Sequence, residues 1–169
     1  TVEPTASYWD CAEYISTSAK LQIGHPPGAP LFQMLGAIFS IFAFDVEQIA
    51  FTVNMMSVTS SALTIIFLFW SISLITKKIL GIGDMLKKDE FLKVFGSSFI
   101  GALTFTFTDS FWFNAVEAEV YAMATLILSV LFWLGLKWES EFDSDRSDRW
   151  LILISFVIGL SFGVHFMGL

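Results

Sequence analysis

Residues 49–76, IAFTVNMMSVTSSALTIIFLFWSISLIT, run for 28 positions without a charged side chain. A helix needs about 20 apolar residues to cross a hydrocarbon core. Lipid offers no partner for a free backbone N–H or C=O, so such a segment has to be helical. Residues 91–113 and 120–138 repeat the pattern, and a fourth apolar segment begins at Trp150 and is still running at Leu169. The expected class is all-α: a polytopic membrane helical bundle with about four spanning helices. Composition agrees. The chain is 55% hydrophobic without counting glycine, whereas soluble domains reach about 45–50% with glycine included. The net charge of -7 is dispersed, and no basic stripe exists for a phosphate backbone, which excludes nucleic acid as a partner. Cys11 is the single cysteine, so neither an internal disulfide nor a thiolate metal set is available.

Charge sets the expected topology. The loop 77–93 carries Lys77, Lys78, Lys87, Lys88 and Lys93, which places it in the cytoplasm by the positive-inside rule. Residues 109–119 are then external, the loop 137–149 with Lys137, Arg146 and Arg149 is internal, and His165 returns to the external face. Residues 28–44 are apolar, but 17 residues of helix reach only about 26 Å. They read as a juxtamembrane or partly inserted helix in the outer leaflet, with Pro26, Pro27 and Pro30 in its first turn, where a missing N–H costs little. Residues 1–48 thus form an external loop with juxtamembrane helices, and 49–169 the transmembrane part of the same single domain. Thr1–Tyr8 has neither the basic start nor the apolar run of a signal peptide. With an apolar segment open at Leu169, the expectation is a piece cut at both ends.

The external face then gathers polar residues from distant stretches. If residues 6–21 are helical, Asp10 and Glu13 share a face at i,i+3. His25 follows in HPPG. Asp109, Glu117, Glu119 and Tyr121 come from the second external loop, where Glu117 and Tyr121 share a helix face at i,i+4 and Glu119 points elsewhere. His165 is the last. One carboxylate from each loop is expected to face a common cleft. Plainer readings stand beside this one. Asp109 serves as a helix cap, HPPG is a turn and helix start, and Trp9, Trp112 and Tyr121 are interfacial anchors. An ionisable group at membrane depth, such as His165, faces a cavity or bonds a neighbouring helix.

The stretch TVEPTASYWDCAEYISTSAKLQIGHPPGAPLF resembles a bacterial membrane family related to protein O-mannosyltransferases. VNMMSVTSSALTIIFLFW, FWFNAVEAEVYAM and GLSFGVHFMGL resemble its later blocks, so the likeness covers nearly the whole chain. It implies a C-type glycosyltransferase: a multi-helix enzyme of the bacterial inner membrane that works on the periplasmic face. The donor substrate would be a sugar, mannose by the resemblance, on a polyprenyl phosphate. The acceptor would be a Ser or Thr hydroxyl of an exported protein. By the same resemblance Asp10 is the catalytic base, with Glu13 as alternate, and His25, Glu117, Glu119, Tyr121 and His165 contact substrate. A leaving phosphate wants Arg or Lys, yet this face holds only Lys20, His25 and His165. Either the cation lies beyond Leu169, or a divalent metal or a histidine does that work; no metal ligands are assigned. A transporter or channel fragment with the acids as a cation site, or a non-catalytic membrane subunit, are the competing expectations.

Overall fold

The computed structural model describes residues 2–83, 86–144 and 146–165. Among the described residues seven α-helices follow one another: α1 (Cys11–Lys20), α2 (Pro30–Ser40), α3 (Ile49–Ile79), α4 (Lys88–Thr106), α5 (Asp109–Ala115), α6 (Val120–Ser140) and α7 (Ser147–Ser161). A single 3-10 turn at Val46–Gln48 leads into α3. The described residues contain no strand, as a chain made for lipid requires.

α3 is the mast of the bundle. Its 31 residues span about 46 Å, and Lys77 and Lys78 close it where positive charge suits the helix dipole. α6 runs beside it in the same direction. At one end Asn54 bonds the backbone of Ala118, and at the other Lys78 pairs with Glu139. α4 runs antiparallel to α3, with Ser73 Oγ donating to Ser98 Oγ at 2.9 Å. α7 returns along α6, from the Trp133–Trp150 ring contact to the Tyr121–His165 contact. Ser57, Ser60 and Ser61 are buried, so the small face of α3 does admit a neighbour closely, whereas Ala62 is exposed.

Two helices are long and apolar enough to cross a membrane, α3 with its leading turn and α6; a third is reached if α4 and α5 count as one bent span. Among the described residues that makes two or three of the expected four, and the fourth segment, from Trp150, runs on past the described residues. The 91–113 segment breaks at Phe107–Thr108, and α4 and α5 meet at 71°. Thr108-Asp109-Ser110 supplies residues that start helices more readily than they continue them. Thr108 holds the N-cap position and Asp109 is the first helical residue, so Asp109 is not the cap itself. α7 has 15 residues, and its continuation past residue 165 lies outside the described residues.

The first 48 residues fold onto one end of this bundle. α1 begins at Cys11, later than expected, because Trp9 sits in the left-handed region at φ 60, which a right-handed helix cannot pass through. α2 covers only 11 residues, too few to span. Of the three prolines expected in its first turn only Pro30 is there, at N1; Pro26 and Pro27, joined by a cis bond, sit in a turn closed by Gly28 N–H to His25 O at 2.8 Å. α1 and α2 approach closely at Gly36, where a Cβ would stand 2.5 Å from Ser18 Oγ. Of the nine lysines and arginines, all but Lys20 belong to the other end of the bundle or its connecting loops.

Candidate functional site

The end that carries α1 and α2 brings the polar residues of both expected loops together. Asp10 precedes α1, and Glu13 lies in its first turn. The helix turns their carboxylates to one side, and the turn before α2 folds His25 back over them. Glu13 spends both oxygens on that residue: Oε1 accepts the His25 backbone N–H at 2.6 Å, and Oε2 meets Nδ1 at 3.1 Å. These bonds, the backbone one first, hold the Glu13 carboxyl below the usual carboxylate range despite its partial desolvation. His25 Nε2 faces Asp10 Oδ2 at 3.8 Å, beyond hydrogen-bond reach. Asp10 is therefore the less committed carboxylate, and its side chain is about half exposed at 53%.

The second loop arrives from α6. Glu119 occupies the N-cap position of that helix and is 6% exposed. Burial first, then the charges of Asp10 and Glu117, push its carboxyl up to about 7, against the backbone N–H groups of Val120 and Asp10 that it accepts. Glu119 thus lies close enough to Asp10 for their charges to interact. Glu117, also buried, accepts the Ser7 hydroxyl instead. The expected roles are exchanged. α6 starts only at Val120, so Glu117 and Tyr121 share no helix face, and Glu119 is the carboxylate that turns toward Asp10.

Between the two loops stands Tyr14, buried, edge-on to Phe32 and 6.1 Å from the His25 ring. Burial, and then the carboxylates of Glu119, Asp10 and Glu13, push its phenol up to about 12. Tyr121 is 42% exposed at the rim, with the His165 ring at 5.6 Å. His165 follows the end of α7 and is not inside an apolar helix as expected. Asp109, Trp9 and Trp112 are exposed.

One organising residue was passed over in the sequence. Asn54 is fully buried and uses both ends of its amide. Nδ2 donates to the carbonyls of Glu3 at 2.7 Å and Thr5 at 3.0 Å, while Oδ1 accepts the Ala118 N–H at 2.8 Å and faces Cys11 Sγ at 3.8 Å. It ties α3, the start of α1 and the 117–119 turn into one unit. An Asn among the Ser, Thr and apolar residues of an uncharged 28-residue run was the available signal.

Asp10, Glu13 and His25 offer one ligand atom each within 4.8 Å of one another. With Glu13 bonded to Nδ1, the free donors are Asp10 and Nε2, with Glu13 in the orienting position behind a ligating histidine. One carboxylate oxygen and one imidazole nitrogen suit Mg²⁺ poorly, because it takes oxygen ligands, and they fall short of the three protein ligands of a catalytic zinc site.

The comparison with known families joins this geometry to a lineage. Residues 10–169 match the family described as the protein O-mannosyl-transferase TMEM260 N-terminal domain. The chain belongs to that family. Among curated proteins, TMEM260-family relatives include the protein O-mannosyl-transferase tmem260 of Dictyostelium discoideum, 26% identical over 147 residues, covering 85% of this chain and 16% of that protein. The protein O-mannosyl-transferase TMEM260 of Mus musculus is 24% identical over 152 residues, covering 90% of this chain and 19% of that protein. The chain thus spans less than a fifth of the length of either relative. No solved structure matches it. The TMEM260 match begins at Asp10, so it includes Asp10, Glu13, Tyr14, His25, Glu117, Glu119, Tyr121 and His165, and the apolar helices mark the domain as part of an integral membrane protein.

Proposed function

We propose that this TMEM260-type domain carries the base and the donor side of a membrane protein O-mannosyltransferase. The observation that supports it is the meeting of Asp10 and Glu119, which come from two loops more than a hundred residues apart, beside a His25 held by Glu13. Asp10 is the base. Its exposure and its lack of a close hydrogen-bond partner leave it unengaged and reachable, whereas Glu13 is committed to His25 and its proton affinity is lowered. Asp10 takes the proton of an acceptor Ser or Thr hydroxyl on an exported protein. The hydroxyl oxygen forms a bond to the anomeric carbon of mannose as the bond to the phosphate oxygen breaks, and polyprenyl phosphate leaves with the electron pair. A single displacement of this kind inverts the anomeric centre.

A general base contributes about 10²–10⁴-fold, and positioning and charge stabilisation supply the rest. Charge for the leaving phosphate comes from His25. A divalent cation held on Nε2 and Asp10 would tie up the base, so this task falls to the histidine, and activity is expected to survive a chelator. The acid-bearing end is assigned to the external face, because the lysines and arginines gather at the other. The resemblance alone sets this in a bacterial inner membrane with a periplasmic site; the two relatives named above are eukaryotic.

The test is Asp10→Asn in the intact protein. Turnover with polyprenyl-phosphate mannose falls about 10²–10⁴-fold, with donor binding little changed, while Glu13→Gln loses less. Near-normal turnover in Asp10→Asn would move the base elsewhere and overturn the assignment.

A further inference from the structure

At the end of the bundle away from the acids, α3, α4 and α6 leave a groove of about 370 Å³. Its walls are Trp70, Phe95 and Trp133, and Lys77 and Lys137 stand at its mouth. The Trp70 and Trp133 rings lie 5.8 Å apart. Tryptophan sits at the headgroup level of a bilayer. Both lysines are half-buried, with aliphatic stems against apolar surface, which is how lysine reaches the interface from a spanning helix.

The charge balance at this mouth is uneven. Lys78 pairs with Glu139. Lys137 is 3.0 Å from Glu141 and lies 5.6 Å from the centre of the Trp150 ring. Lys77 has no carboxylate partner among the described residues. The two glutamates are each matched by a lysine, which leaves Lys77, at the mouth, as the lysine of the groove without an ion pair among the described residues.

An apolar, aromatic channel that ends in a cation at headgroup depth fits one kind of molecule, an amphiphile with an acyl chain and a phosphate. Basic pockets between spanning helices hold acidic lipid headgroups in this way. We infer that the groove binds an acidic phospholipid of the surrounding bilayer, its phosphate against Lys77 and Lys137 and one acyl chain along Trp70, Phe95 and Trp133. The inference is independent of the proposed catalysis, since the groove lies at the other end of α3 from Asp10 and Glu119.

The test places the protein in nanodiscs of phosphatidylcholine and phosphatidylglycerol and reads co-purifying lipid by native mass spectrometry. The wild type retains phosphatidylglycerol in preference to phosphatidylcholine. Lys77→Gln lowers that retention about fivefold, the worth of one lysine at an anionic surface, and Lys77→Gln with Lys137→Gln lowers it further. Lys77→Arg keeps the charge and restores retention. Lys87→Gln with Lys88→Gln, on the exposed start of α4, leaves it unchanged. Equal retention of the two lipids, or undiminished phosphatidylglycerol in the Lys77→Gln protein, would overturn the proposal.

Discussion

Glu119 shows how one buried carboxyl records its surroundings. Its folded-state value of about 7 lies above the ordinary 4.5, mainly from burial and then from Asp10. The folded protein therefore binds a proton that the unfolded chain releases between those values. Its contribution to stability is present in full below about 4.5 and is lost as pH rises through about 7. Thermal unfolding in detergent with chelator, from pH 4.5 to 8, is expected to show a falling midpoint in the wild type. Glu119→Gln keeps an acceptor for the Asp10 and Val120 N–H groups and cannot ionise, so its curve is expected to be flatter over that range. Parallel curves for the two proteins would refute the assignment of the titration to Glu119.

α1 and α2 deliver the site, and their contact depends on the absence of one side chain. At Gly36 a Cβ would lie 2.5 Å from Ser18 Oγ and 2.8 Å from Ser18 Cβ, so neither helix could keep its place. Overpacking of this kind costs about 1–3 kcal/mol. Gly96, in α4, has open space around the same position, and there alanine gains about 0.5–1 kcal/mol of helix propensity. Unfolding midpoints should separate the two: Gly36→Ala falls and Gly96→Ala holds or rises. A neutral Gly36→Ala would mean that α1 and α2 are further apart than described. The same pair explains why the short α2 is useful: docked on α3 and bonded through the Leu31 N–H to Gly163 O at 2.7 Å, it carries the His25 turn to the top of the bundle.

The whole molecule is polarised. Eight of the nine lysines and arginines gather at one end, while the acids divide between both and the buried ones, Glu117 and Glu119, lie with His25 at the other. The opposite sidedness of the two ends is tested by single-cysteine labelling from outside intact cells, in a Cys11→Ala background. Asp45→Cys, in the exposed stretch before α3, is expected to react with an impermeant thiol reagent, and Lys88→Cys is not. The reverse pattern would place the acidic end in the cytoplasm and remove the external donor from the proposal.

Some of this was legible in the chain alone. Uncharged length established that α3 and α6 span, because backbone in lipid must satisfy itself whatever packs beside it. The lysine loop set a polarity, and residue types marked Asp10, Glu13, His25, Glu117, Glu119, Tyr121 and His165 as the chemically capable set. Other features depended on contacts between distant residues. The break after α4 arises where Thr108 caps a new helix 71° away, which the apolar count of 91–113 conceals. The choice between Glu117 and Glu119 turns on where α6 starts, a matter settled by Asn54 holding Ala118 from across the bundle. The difference between Asp10 and Glu13 lies in which carboxylate His25 occupies, and that follows from a turn twelve residues beyond Glu13. Hydropathy is a local sum and survives in the sequence; the partner of a buried polar group is fixed only when distant segments meet.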